Sequence, residues 1–178
     1  MLFWHVGATT AFIRYAFRDP AMDLRLLALG AIVSDLVDLP IGILLWDSLG
    51  SVRLAAHSLV FGAILMAGVL ILTRRGTTRK RWMLFAVGVL VHLALDATWA
   101  DPETLWWPFL GWEFTDSGFA TYGEYVSNLF VDPRLWLGEV AGAVYLVVLW
   151  IRSGLSDPAA RRTLMTTGEV SASIGRDG

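Results

Sequence analysis

The sequence predicts an all-α membrane protein, a polytopic bundle of four transmembrane helices with a candidate fifth helix, short or re-entrant, at the N-terminus. Three observations predict this class. The chain is 56% hydrophobic, with a mean hydropathy of +0.58. Only 17% of its residues are charged, whereas about a quarter are charged in soluble domains. Its apolar residues also fall in four runs close to the ~20 residues that cross a bilayer core.

The predicted elements follow in order along the chain. Residues 2–17 are apolar but short and contain Arg14, so they could form a short span, a re-entrant piece or an interfacial helix. They lack the basic leader and cleavage site of a signal peptide. The four spans are predicted at residues 25–46, 54–73, 82–100 and 135–151.

Two parts of different composition are expected. Residues 1–152 form the membrane-embedded helical domain. Residues 153–178 are polar and are expected to form a largely disordered tail, which allows a short helix through Asp157–Met165. The absence of cysteine excludes disulfides and thiolate metal sites.

The distribution of lysine and arginine predicts the orientation in the membrane. Basic residues crowd residues 74–81 and follow the last span, whereas the loop at residues 101–133 contains acidic residues but neither lysine nor arginine. Positive charge is retained on the cytoplasmic side. The C-terminus is therefore expected in the cytoplasm and the long loop outside. Because this topology accounts for the arginines, no nucleic-acid surface is expected.

Imidazole and carboxylate groups lie within the apolar runs. The chain has only three histidines, and each stands in an apolar stretch. An ionised carboxylate in hydrocarbon is costly, so such groups pair, bind a cation or face water. The candidate metal ligands are His5, Asp35, Asp38, His57, His92, Asp96 and Glu139.

Spacing and depth both predict that these groups meet. His92 and Asp96 are four residues apart, and Asp35 and Asp38 are three apart, so each pair shares a helix face. With a rise of about 1.5 Å per residue, most of the candidates fall in the outer half of the membrane. Imidazole and carboxylate together suit zinc, manganese or iron. The sequence thus predicts one or two divalent ions, with zinc preferred, and surplus residues that orient the ligands.

Simpler interpretations of the same residues remain open. His92 and Asp96 could form a structural pair between helices, and Asp35 and Asp38 could line a proton or ion pathway. Glu139 could be structural, because glycines stand near it and permit close helix contact.

The order of the motifs resembles a known family. The motifs are an N-terminal histidine, an apolar run ending in D-L-V-D, an H-S-L start of a helix, an H-L-A-L-D pair and an aromatic P-F, which stand at His5, Gly30–Asp38, His57–Leu59, His92–Asp96 and Pro108–Phe109. This pattern resembles the bacterial inner-membrane metal-dependent hydrolases described as LexA-binding. That family is distantly similar to zinc-dependent phospholipase C and to nucleases of the P1 type.

The resemblance covers about residues 1–110 and implies a hydrolase in the bacterial cytoplasmic (inner) membrane. The predicted topology and the depth of the candidate ligands direct its active site toward the extracytoplasmic side. The expected reaction cleaves a phosphoester of a membrane lipid or a lipid-linked phosphate. The metal would be held by His57, His92, Asp96 and one of Asp35 and Asp38, and it would lower the pKa of a bound water. The other aspartate would act as the general base.

Other functions stay open on the sequence alone. A zinc amidase that acts on lipids could use the same ligands, and a transporter could use Asp35, Asp38 and Asp96 as relays. A non-catalytic scaffold could hold a structural metal. Two classes are excluded: a retinal protein needs a lysine within the membrane, and the only lysine, Lys80, lies in a basic loop. A membrane desaturase needs more than three histidines.

Overall fold

The structure is a computed structural model that describes residues 1–171, and all the regular secondary structure in this range is helical. The helices are α1 (Leu2–Phe17), α2 (Leu24–Leu44), α3 (Trp46–Leu49), α4 (Leu59–Leu72), α5 (Thr77–Leu95), α6 (Pro102–Leu105), α7 (Tyr122–Val131), α8 (Pro133–Arg152) and α9 (Pro158–Thr167). Two 3-10 turns cover Ala55–His57 and Thr98–Ala100. The predicted all-α class is confirmed.

Two of the four expected spans, α2 and α8, are long and apolar enough to cross a membrane. Helix α4 is apolar but has only 14 residues, because the chain before it forms a 3-10 turn rather than a first helical turn. Helix α5 has 19 residues, but its first turns include Arg, Lys and Arg at 79–81. Of the four expected spans, only α2 and α8 therefore have both the length and the hydropathy to cross a membrane.

Helices α2 and α5 form the centre of the bundle and cross closely at two glycines. A Cβ on Gly30 would meet the backbone of Phe85, and a Cβ on Gly88 would meet the carbonyl of Leu27. Small residues at such crossings let two backbones approach. Helix α4 packs on α5, and α1 packs on α2. The central pair thereby brings the histidine of α5 beside the acidic face of α2.

Residues 2–17 form the regular helix α1, which lies along α8. At about 1.5 Å per residue its 16 residues extend about 24 Å, less than a full hydrocarbon core. Gly7 and Gly142 face each other, and a Cβ on either would collide with backbone of the opposite helix. Helix α1 therefore has a fixed position, which carries His5 into the interior.

The C-terminal segment is folded against the bundle as far as the described residues reach. The short helix expected near Asp157–Met165 is present as α9. Directly after α9, the carbonyl of Gly168 accepts a 2.8 Å hydrogen bond from the amide of Leu24. Val170 packs against a cluster of buried apolar residues, which are Ile13, Met22, Leu24 and Leu27. The rest of the predicted disordered tail, residues 172–178, lies outside the described residues.

The connection between α5 and α8 is partly helical and strongly aromatic. Trp107 stacks on Phe114 with ring centroids 5.7 Å apart, while Trp112 is 77% exposed. On α7, Tyr125 lies 5.6 Å from the ring of Trp46. This packing places α7 beside the end of the bundle that carries the histidines.

Candidate metal centre

Four side chains from two helices and one turn converge in the interior. Asp35 comes from α2, His57 from the 3-10 turn and His92 from α5, while Asp96 directly follows α5. Each offers one ligand atom, and these atoms all lie within 4.8 Å of one another. These four residues form what we term the metal cluster, because their geometry could hold a metal ion.

The spacing of the ligand atoms fits one tetrahedral ion. The Nε2 atoms of His57 and His92 are 3.2 Å apart. His57 Nε2 lies 3.4 Å from Asp35 Oδ1 and 3.5 Å from Asp96 Oδ2. His92 Nε2 lies 3.7 and 3.9 Å from the same two oxygens. Zinc with bonds of about 2.0–2.1 Å separates its ligand atoms by about 3.4 Å, so five of the six separations agree within about 0.5 Å, and the sixth, between the two carboxylates, is at most 4.8 Å.

Hydrogen bonds on the far side of each imidazole turn the Nε2 atoms inward. His92 Nδ1 lies 2.7 Å from the carbonyl oxygen of Ala31. Because a carbonyl only accepts, His92 carries its hydrogen on Nδ1 and presents a lone pair at Nε2. His57 Nδ1 lies 2.7 Å from the carboxylate of Asp38 and takes the same tautomer. When both imidazoles are neutral, two lone pairs face each other, and a cation between them would satisfy both.

Asp38 positions His57 and lies behind it. The carboxylate is buried and accepts the backbone N–H groups of Leu54, Ala56 and His57 at 2.8, 3.1 and 3.1 Å. Together with His57 Nδ1, these donors occupy the roughly four acceptor positions of a carboxylate. Of the two aspartates expected to share the ligand and base roles, only Asp35 reaches the metal cluster.

Two donors hold Asp96 in place. His5 Nε2 lies 2.7 Å from Asp96 Oδ1, and Arg53 Nε lies 3.2 Å from Asp96 Oδ2. His5 is itself fixed by the carbonyl of Met1, 2.5 Å from Nδ1. His5 therefore contacts a ligand and does not belong to the cluster of four. It supports Asp96 much as Asp38 supports His57.

Glu139, the seventh predicted ligand, is engaged elsewhere. Its two carboxylate oxygens accept the backbone N–H groups of Phe3 and Trp4 at 3.1 and 3.2 Å. These amides belong to the first turn of α1, whose N–H groups lack partners within the helix. Glu139 thus fastens α8 to the start of α1, near the Gly7–Gly142 contact. Residues 1–171 contain no second group of three such ligands, so the geometry supports one ion.

A family model described as YdjM inner membrane protein matches residues 3–156. The chain belongs to the YdjM inner membrane protein family. The match contains the whole metal cluster, and membership confirms the bacterial inner-membrane part of the resemblance. Its description names a location and no reaction. Searches of the curated proteins and of the solved structures found no match.

The metal cluster of this YdjM family member is closed on one side and open on another. His57 and His92 are fully buried and the Asp96 side chain is 13% exposed, whereas that of Asp35 is 35% exposed. A cavity of about 310 Å³ lies beside the cluster, and Arg53 lines it together with Tyr125 and other polar residues. Burial raises the pKa of the Tyr125 phenol, although the charge of Arg53 opposes this, so its hydroxyl remains protonated.

Arg53 is a functional candidate that sequence reasoning did not single out. Its Nη1 bonds Asp101 Oδ2 at 3.1 Å, so the guanidinium joins the rim of the cavity to Asp96. A sequence signal was available. Arg53 is the only basic residue between positions 26 and 73, and it stands four residues before His57.

Proposed function

We propose that this protein is a membrane-embedded metal-dependent hydrolase that cleaves a phosphoester of a lipid or lipid-linked substrate. The observation that carries the proposal is the convergence of two imidazole nitrogens and two carboxylates at ligand distances, with one carboxylate accessible. Such groups in the interior of a membrane helix bundle are costly and usually functional. The ligand chemistry favours zinc, and manganese or iron fit the same donors.

With His57, His92 and Asp96 as its three protein ligands, a bound divalent ion would keep its fourth position for a water, lower the pKa of that water and polarise a phosphoryl oxygen. Asp35 is the residue placed to accept the proton of that water, because it is the most exposed member of the cluster and no neighbour fully occupies its oxygens. Its other charged contact is the amino group of Met1, at 4.0 Å. The alternative of Asp38 as base is disfavoured by its four donors.

Arg53 is placed to orient the substrate. Its Nε and Nη1 are used by Asp96 and Asp101, while Nη2 donates to none of the described residues. A guanidinium has five N–H donors in a planar fork that matches phosphate oxygens. Because Arg53 also lines the cavity, its Nη2 offers a partner to a phosphoryl group bound there.

We further infer that the cluster faces the extracytoplasmic side. It lies near the end of α5 that leads into the acidic loop, whereas the basic residues 74–81 lie at the opposite end. Helices α2, α4, α5 and α8 would cross, with α1 as a fifth, short helix. Because the cluster would then lie within the outer leaflet, an amphiphilic substrate could bring its headgroup to it laterally.

A structural metal is the second candidate function, and one observation favours it. Four protein ligands without an open position are typical of structural zinc sites. The exposure of Asp35 argues for the hydrolase instead. The two candidates differ in what chelation does: a scaffold loses its fold, and a hydrolase also loses a reaction.

The test uses the full-length protein purified in detergent. Elemental analysis should give about one metal ion per chain for the wild type and for Glu139→Gln, and a loss of metal for His92→Ala. Hydrolysis is then measured on phosphoester lipids and, separately, on amide-linked lipids. Asp35→Asn should retain metal and lose turnover. Metal without turnover, with collapse on chelation, would support the scaffold; cleavage of amides alone would support the amidase. Ion flux without bound metal would support the transporter.

A further inference from the structure

A groove of about 470 Å³ lies between the starts of α2 and α5, at the end of the bundle opposite to the metal cluster. Two arginines, one threonine and Asp23 form its polar end. Two leucines of α2 and Trp82 form its apolar side. This groove is independent of the proposed reaction.

The polar end is preorganised around the buried Asp23. Its carboxylate accepts hydrogen bonds from Nε and Nη2 of Arg25, at 3.0 and 2.8 Å. It also accepts hydrogen bonds from Nε and Nη2 of Arg81, at 2.9 and 2.5 Å. Burial alone would raise the pKa of Asp23, but the hydrogen bonds from Arg25 and Arg81 outweigh this effect and lower the pKa to about 2. Both guanidinium groups are therefore held in one place by a permanent negative charge.

The arrangement leaves donors directed away from Asp23. The Arg81 side chain is 44% exposed, and its Nη1 donates to none of the described residues. Two arginines against one aspartate leave the groove with one net positive charge. Charge-assisted bonds from a fixed guanidinium are among the stronger ones that a phosphate can receive.

The apolar side continues from the polar end along the helices. Leu29 and Trp82 are each more than 40% exposed, although they are large and hydrophobic. Tryptophan is enriched where a membrane meets water, since its ring is apolar and its N–H is polar. A cationic end next to an exposed apolar strip has the two-part chemistry of a phospholipid.

We propose that this groove is a binding site for an anionic phospholipid, with the phosphate on Arg81 and the Thr78 hydroxyl and an acyl chain along Leu29 and Trp82. Basic pockets between helices at the cytoplasmic surface are known to take such headgroups. The single net positive charge selects an anionic lipid over a zwitterionic one. The fixed arginines reduce the entropy that binding would otherwise cost.

The experiment measures lipid binding to the full chain in detergent by native mass spectrometry, with dioleoylphosphatidylglycerol as the probe. Dioleoylphosphatidylcholine and inorganic phosphate are the comparison ligands. The variants are Arg81→Gln and Trp82→Leu. Arg75→Gln is the matched control, because it removes the same charge from the same basic segment, residues 74–81, but lies outside the groove. Thermal unfolding of each variant establishes that it is folded.

We expect Arg81→Gln to weaken binding of the anionic lipid about tenfold, as the loss of a charge-assisted hydrogen bond implies. Arg75→Gln should weaken it less than about threefold, which is the effect of general attraction alone. Equal losses in these two variants would overturn the site, and so would equal binding of the zwitterionic lipid. Equal stabilisation by inorganic phosphate would show a soluble anion as the ligand.

A second variant pair covers the case in which Arg81→Gln does not fold. Arg81→Lys keeps the charge but removes the planar fork, and it should bind the lipid less tightly than the wild type. Trp82→Leu should weaken lipid binding and leave the response to inorganic phosphate unchanged. If neither variant changes binding of the anionic lipid, the proposal is wrong. Metal content is measured in the same samples and should stay at the wild-type value.

Discussion

Replacing Asp38 with asparagine should weaken metal binding without removing a ligand. Asp38 holds the Nδ1 hydrogen of His57 and three backbone N–H groups with its two oxygens. Three of these four bonds go to Oδ2 and one, from Ala56, to Oδ1. An amide that keeps its oxygen at the Oδ2 position retains three bonds and directs an NH₂ group at the amide of Ala56.

The size of the effect follows from this count. One buried donor left without an acceptor costs about 1–3 kcal/mol of unfolding free energy. Loss of the negative charge behind His57 also makes its Nε2 a weaker donor to a metal. Substitution of such supporting groups typically costs about 10–100-fold in metal affinity. We therefore expect Asp38→Asn to be folded, less stable, and weaker in zinc affinity by this factor.

The assay is competition for zinc against a chelator of known affinity, alongside thermal unfolding of the same samples. Glu139→Gln is the control, because it removes a carboxylate that also caps backbone N–H groups but lies away from the cluster. If Asp38→Asn retained full zinc affinity, the role assigned to Asp38 would be wrong. If it lost zinc as completely as His92→Ala, Asp38 would be a ligand instead.

Three further predictions concern other parts of the molecule. Gly142→Ala should destabilise the fold by about 1–3 kcal/mol in thermal unfolding, since its Cβ would meet the carbonyl of Phe3; Gly68→Ala, which meets nothing within 4 Å, should not, and equal effects would contradict the helix contact. The pKa of Asp23 is lowered from its ordinary value of 3.8 to about 2 in the folded protein, so its ionised form stabilises the fold above about pH 3.8. This contribution is lost as the pH falls toward 2. In Asp23→Asn, the free energy of unfolding should therefore depend less on pH in that range. Arg53→Lys should keep the metal content and lower turnover about tenfold, because lysine keeps the positive charge but lacks the planar set of donors of the guanidinium. Unchanged turnover would show that Arg53 does not orient the substrate.

The residues of the metal cluster were predictable because helical geometry is local. Four residues along α5 return to the same face, so the sequence places His92 above Asp96 whatever the rest of the chain does. The cost of burying polar groups in hydrocarbon then predicts that they share a partner. Asp35, His57, His92 and Asp96 meet as that argument requires.

The division of roles between Asp35 and Asp38 was not predictable in the same way. Three residues on a helix differ by about 60° in direction, enough for one side chain to face the cluster and the other to face the next turn. The turn at residues 54–58 exists because Asp38 gathers its backbone N–H groups. Sequence periodicity predicts a continuous helix there, since the acceptor lies 16 or more residues away.

Long-range contacts also decide the roles of Glu139 and Arg53. Glu139 caps the first turn of α1 through amides 135 and 136 residues earlier in the chain, and only the packing of α1 on α8 brings the two together. Arg53 stands directly before the turn that Asp38 holds, and its guanidinium reaches Asp101, 48 residues later. Neither role leaves a periodic signal, so each required the three-dimensional arrangement.

Facing lone pairs and carboxylates give the strongest reason to expect a divalent ion. The Nε2 atoms of His57 and His92 lie 3.2 Å apart and next to oxygens of Asp35 and Asp96. The basic groups of Met1, His5 and Arg53 also contact these two carboxylates. Carboxylates that lack a full set of partners are costly in a site of low polarity. A divalent ion between the two Nε2 atoms would give these groups a common partner, whereas a single proton there would satisfy one pair only. If the metal-free protein proved as resistant to thermal unfolding at neutral pH as the zinc-loaded protein, the site would not need a cation for stability.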